Sequence, residues 1–304
     1  MRCLMKKQLL IALLISSIFL NGCEKKKQEN SVPNFMPAQK YKGQGFGEDG
    51  DKELKELIKK HRKEYEHRGE QFYRDNFHLN VKATNVIAEH DVITVFVHCN
   101  DRDICFNASI SLGKNSYKEH SSMRSYDDGD AMSDIVSPVI AGFEYRFQKE
   151  KYDNLYHFLD KNKNKYQYTG YTKEAVLKTR SIGYQNEYFY IPGHPITISQ
   201  YNQYFEPLLN LDKKSYKEQF KQSKKAIHNL AKNDLITTLY STRKNYTRKN
   251  NHSTALKMVN ELESKKSSLP KNTDISLEFH SNKLQPKSPK WGNQYTTSYD
   301  IQTD

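Results

Sequence analysis

One segment of this chain stands apart from the rest. Leu9 to Leu20 (LLIALLISSIFL) is an uncharged apolar run of twelve residues, and no later segment is apolar enough to span a membrane. As a helix it rises about 18 Å, short of a hydrocarbon core of about 30 Å. Lys6 and Lys7 precede it, and Leu20-Asn21-Gly22-Cys23 follows. A basic start, a short apolar run and a small residue before a cysteine read as an export signal over residues 1–22. Cleavage between Gly22 and Cys23 would leave Cys23 as the first mature residue, carrying diacylglycerol. Asn21 is a departure, because a small or apolar residue is usual there. Two acyl chains anchor stably, at roughly 0.8 kcal/mol per buried CH₂. Lys25, Lys26 and Lys27 follow at once, and each adds about 1 kcal/mol of attraction to an anionic leaflet. The expected location is therefore the extracellular face of the cell membrane, held there by a lipid anchor.

What lies beyond Cys23 must then fold in an exported, watery setting. The signal takes Arg2, Lys6 and Lys7 with it and no acid, so the formal net charge falls from +12 to +9. Export makes nucleic acid a poor partner for this charge. Anionic lipid, teichoic acid, or a host or envelope protein fits it better. Only 36% of the residues are hydrophobic, yet 21 Tyr and 14 Phe supply enough large side chains for a core.

Residues 23–46 are polar, hold Pro33, Pro37, Gly43 and Gly45, and read as a flexible tether. Gly43, Gly45 and Gly47 make no phosphate loop, since no Gly-Lys-Ser/Thr follows. A helix is predicted over Asp51–Arg68, with Leu54, Leu57, Ile58, His61 and Tyr65 on one face and Gly69 ending it. Three strands follow, from Leu79 to Ile87, from Val92 to Val97 and from Ile104 to Leu112. Ile135 to about Asn162 is helical, with Ser137-Pro138 at its start and a break near Glu150. Shorter elements are expected at Lys173–Ser181 (helix), Glu187–Ile191 and Ile196–Ile198 (strands), and a helix beginning at Ser199. Ser215–Lys232 reads as an amphipathic helix, Leu235–Tyr240 as a strand and Thr254–Lys265 as a helix. From Lys283 the chain is polar, and residues 283–304 read as a mobile tail. The fold class is α+β, with antiparallel strands packed against amphipathic helices. Residues 47–282 form one domain or two packed halves.

Few residues invite chemistry. Cys99 and Cys105 are the mature cysteines besides Cys23. Matching apolar faces pairs Ile93 with Ile110, Val97 with Phe106 and Cys99 with Ile104, leaving Cys105 on the other face beside His98. That register opposes a disulfide, although a one-residue bulge would bring both thiols to the same face. A Cys105/His98 nucleophile lacks an orienting third residue. Asp127, Asp128, Asp130 and Asp134 form the densest acidic cluster. They lack the order of a calcium loop and suit turns and helix caps. Lys214, Lys217, Lys221, Lys224 and Lys225 make a basic stripe opposite Phe220, either a solvated face or a surface for anions. No catalytic, metal or cofactor set emerges, so a non-enzymatic binding protein is expected. The alternatives are an envelope hydrolase using His98, Cys105 or the Asp127–Asp134 cluster, and an assembly or chaperone accessory.

Seven short words carry a resemblance: Tyr41–Phe46 (YKGQGF), Val81–Val86 (VKATNV), Gly142–Arg146 (GFEYR), Gln148–Tyr156 (QKEKYDNLY), Tyr166–Gly170 (YQYTG), Asn186–Ile191 (NEYFYI) and Tyr204–Leu208 (YFEPL). Together they resemble a family of staphylococcal lipoproteins, domain-of-unknown-function family 1672, over roughly Tyr41 to Tyr240. The resemblance implies a Gram-positive surface lipoprotein with no established activity and no catalytic residues to carry over.

Overall fold

Asp51 opens the first helix of the fold. Its carboxylate accepts from the Glu53 and Leu54 amides at 2.8 and 3.1 Å, a cap worth about 1 kcal/mol. The structure is a computed structural model that describes residues 32–227, 230, 232–244, 247–287 and 297–303. Gly22, Cys23, the apolar run and Lys25–Lys27 lie outside those residues.

In chain order, α1 is Lys52–Phe77, followed by β1 (Val81–Glu89), β2 (Val92–Asp101) and β3 (Ile104–Leu112). Then come α2 (Asp130–Phe147), α3 (Lys149–Tyr166), β4 (Tyr168–Thr169), α4 (Lys173–Thr179), β5 (Gly183–Gln185) and β6 (Phe189–Pro192). The remainder is α5 (Ile198–Tyr204), α6 (Lys213–Ala226), β7 (Asn233–Thr237), β8 (Leu239–Ser241), α7 (Arg248–Glu263), β9 (Thr273–His280) and β10 (Thr297–Thr303). The ten described strands form one sheet in the order β1-β2-β3-β5-β6-β7-β9-β8-β4, with β10 also on β9. Pairing is antiparallel except where β7 and β8 run parallel to β9. The α+β class with mostly antiparallel strands is as the sequence predicts.

Helix α1 runs nine residues past its expected end because Gly69 is there for packing, not for termination. A Cβ on Gly69 would sit 2.5 Å from Val95 Cγ1, so only glycine lets the helix lie this close to β2. The helix ends instead at His78, in the left-handed region at φ 52°. The β2–β3 hairpin turns on Arg102 and Asp103, both with positive φ, a two-residue turn whose twist matches the strands. The ladder therefore slides two residues from the expected one: Ile93 faces Leu112, Val97 faces Ala108 and Cys99 faces Phe106. A slip of two keeps every side chain on its face, so the burial pattern was right although the partners were not. Pro138 lies inside α2 and not at its start. The expected strand at Ile196–Ile198 is a helix start: Thr197 and Gln200 cap α5 reciprocally.

The two chain ends correct the sequence reading most. The described part of the expected tether packs: Ala38 and Tyr41 are fully buried, and Met36 exchanges backbone hydrogen bonds with Leu284 at 2.9 and 2.8 Å. The expected tail supplies strand β10, where Ile301 pairs with Ile275 and is buried. Tyr299 and Ile301 alternate with polar neighbours, a strand signal too short to stand out in so polar a segment. From Asn34 onward the chain groups as one compact unit, with its apolar side chains in three clusters.

Candidate functional site

The stripe on α6 faces a cleft. Asp212 caps that helix, accepting from the Lys214 and Ser215 amides at 2.9 and 3.2 Å. From there Tyr216 and Phe220 turn into the core while lysines recur on the adjoining face. Opposite stands the junction of α2 and α3, where Gln148 breaks the helical backbone (φ −116°, ψ 26°). Between the two walls lies a cleft of about 1040 Å³. The turn residue Asp103 and the loop residues Lys271 and Asn272 complete its rim. Gln148 fixes that loop, trading hydrogen bonds with the Lys271 carbonyl at 2.9 Å and amide at 2.7 Å.

The charge of the lining is lopsided. Eight lysines and Arg146 face three carboxylates, those of Asp103, Glu150 and Asp153. Some of the cations have structural work. Arg146 lies 4.0 Å over the Tyr216 ring and donates to the carbonyls of Leu208, Leu209 and Leu211 at 3.3, 3.4 and 2.9 Å, which ties the α5–α6 connection to α2. Lys149 stands 3.9 and 3.7 Å from Asp103 and Asp153. Lys213 pairs with Glu150 at 2.7 Å. That bond, reinforced by the Lys217 charge behind it, holds the Glu150 carboxyl below its ordinary range. Lys224 reaches inward to the buried Glu144 at 3.0 Å and to Asn233 at 3.3 Å. Lys151 donates to the Ser267 carbonyl.

Four lysines remain. Among the described residues, no carboxylate forms an ion pair with Lys217, Lys221, Lys225 or Lys271. Lys221, Lys225 and Lys271 are exposed and Lys217 is half-buried. A concave wall of unpaired ammonium groups raises the local concentration of anions, more so than the same charges on a convex face.

The comparisons with known proteins agree on the family. The profile of the family described as "Protein of unknown function (DUF1672)" matches residues 28–304. The chain belongs to this family. A crystal structure of a DUF1672 family protein from Staphylococcus aureus subsp. aureus Mu50 is similar to it, with a TM-score of 0.86 and 41% sequence identity. The likeness covers 90% of this chain and 100% of that one. Against curated proteins no match is found. Membership brings the α+β fold and no assigned activity.

Two words that carry the DUF1672 resemblance meet at the cleft, GFEYR through Arg146 and QKEKYDNLY through Gln148 to Asp153. Of the five lysines in the predicted stripe, Lys217, Lys221, Lys224 and Lys225 line the cleft and Lys214 does not. Sequence reading missed Lys213, Lys271 and the whole facing wall. Only their charge was visible, and nothing local marks residues so far apart in the chain as neighbours.

The other candidates are drawn apart. Asn107, not Cys105, stands opposite His98 and binds its ring nitrogen at 2.7 Å. Cys99 and Cys105 are free thiols on opposite faces. Burial pushes each up to about 12, which keeps both protonated and poor as nucleophiles at neutral pH. Asp127 accepts from the Gly129 amide at 2.9 Å. Asp128 accepts from the Ser199 amide at 2.9 Å, and the bonds from Ser199 lower its carboxyl. Asp130 sits in the first turn of α2. These acids serve turns and helix starts, as the capping reading predicts.

Proposed function

We propose that this chain is a non-enzymatic binding protein of a Gram-positive envelope. Diacylglycerol on Cys23 holds it to the outer face of the plasma membrane, and the cleft between α6 and the α2–α3 junction takes an anionic partner. The observation that carries the binding reading is the set of four lysines, Lys217, Lys221, Lys225 and Lys271, that line a large concavity and form no ion pair among the described residues. The anchor is supported by the sequence from Lys6 to Cys23. Against a Cys105/His98 hydrolase stand the His98–Asn107 bond and the raised Cys105 thiol.

Two experiments test this. Replacing Cys23 by Ala abolishes lipid labelling and releases protein into the medium; lipid that stays on the variant contradicts the anchor. The unlipidated chain from Glu24 onward co-sediments with isolated cell envelopes, and Lys221→Glu with Lys225→Glu removes most of that binding. Equal binding by the variant contradicts the cleft as the site.

A further inference from the structure

The unpaired lysines stand in a row. Lys217, Lys221 and Lys225 are each four residues apart on α6, so their side chains recur on one face about every 6 Å. Lys271 adds a fourth cation at the rim. An ammonium is a point charge without the fork that grips one carboxylate in two places. A spaced row of them suits successive anions on one strand better than a single anion. The shape narrows the choice further. Phe147, Tyr216 and Leu230 line the concavity. A thin flexible strand can enter it, whereas a flat bilayer surface meets only its rim. The aromatic rings are already engaged: Tyr216 is buried beneath Arg146, and Phe147 packs on Phe220 with ring centroids 4.7 Å apart. Tyr216 offers no free face on which a nucleobase could stack, and one face of Phe147 is taken.

We propose that the cleft binds a linear phosphodiester polymer with small polyol repeats, laid along α6 with successive phosphates on Lys217, Lys221 and Lys225. This rests on the reading of the cleft as the binding site and names its ligand class.

The test uses the mature lipidated protein in nonionic detergent, titrated with synthetic glycerol-phosphate oligomers. An oligomer of about ten repeats should bind at least roughly tenfold tighter than glycerol phosphate itself, because several contacts act together. The triple variant Lys217→Gln, Lys221→Gln, Lys225→Gln should lose that gain, and the corresponding triple Arg variant should keep it. Overturning results are a monomer that binds as tightly as the oligomer, oligothymidylate that binds tighter, or phosphatidylglycerol-doped micelles that compete equally. If no oligomer binds while envelope sedimentation still depends on Lys221 and Lys225, the ligand class is wrong and the cleft reading stands. If sedimentation is independent of both lysines, the two fall together.

Discussion

Arg180 and the lysines of α6 are both cationic, and the fold treats them in opposite ways. Arg180 is buried, lies 4.3 Å from the centre of the Tyr171 ring and donates to the Tyr171 hydroxyl. Tyr240 donates to the same hydroxyl at 2.6 Å. Tyr41 closes the group, donating to the Pro286 carbonyl at 2.9 Å, and Thr172 donates to the Tyr41 carbonyl at 2.5 Å. Here a charge is enclosed by aromatic faces and hydroxyls and joins residues near both chain ends to α4 and β8. In the cleft, four of the eight lining lysines, Lys217, Lys221, Lys225 and Lys271, form no ion pair among the described residues. A charge that a fold needs for itself is given partners; charges gathered in a concavity and left unpaired are available to something else.

The largest effect is expected at the enclosed charge. Arg180→Ala strips the Tyr171 hydroxyl of one donor and leaves a void among rings, a loss of roughly 3 kcal/mol. Urea unfolding measures it, and envelope binding by the folded fraction stays at the wild-type level. A stable variant would show that the tyrosine cluster holds without its cation.

Lys224 lies between the two cases, lining the cleft yet paired with the buried Glu144. Lys224→Met takes the cation from that carboxylate, leaving the Gln148 amide that donates to it at 2.9 Å, and costs about 2 kcal/mol, discounted because Lys224 is partly exposed. Adding Glu144→Met restores most of the loss, since replacing both partners removes the unpaired charge. A double variant weaker than the single one would contradict the pair's placement.

The α6 lysines should show the reverse of Arg180. Replacing Lys217, Lys221 and Lys225 together by Gln leaves the urea midpoint nearly unchanged while envelope binding falls. A clear loss of stability would mean that these lysines serve the fold.

The smallest effect is a surface one, with a defined pH window. Hydrogen bonds from Lys165, and then from Tyr166, hold the Glu261 carboxyl down at about 2, against an ordinary 4.5. The folded state favours the ionised form, so the contribution is complete above about pH 4.5 and fades as pH falls toward 2. Glu261→Gln should flatten that part of the stability–pH curve; an unchanged slope would show that the contact with α3 is not maintained in solution.

Much of this was legible in the sequence where the cause was local. Asp51 caps α1, the break near Glu150 is the α2–α3 junction at Gln148, and the alternating apolar positions of β3 are all buried. What failed depended on a partner elsewhere. Gly69 reads as a stop until Val95 is set against it. Arg102 and Asp103 are unremarkable turn residues until both adopt positive φ and move the ladder by two. Tyr41 and Ile301 are isolated apolar residues in polar segments, and only Pro286 and Ile275 show what they do. The cleft divides the same way. The α6 stripe shows in a four-residue period, whereas Lys271 and the Gln148–Asp153 wall reach it only through tertiary packing.

The salt dependence of oligomer binding tests the cleft most directly. Each phosphate neutralised on a flexible strand contributes a slope of about −0.7 to log K against log salt. Four unpaired lysines in use predict a slope of roughly −3 for the wild type, falling to about −1 in the triple Gln variant, where Lys271 alone remains. A wild-type slope near zero, or one that the three substitutions leave unchanged, would contradict a binding site built from these lysines.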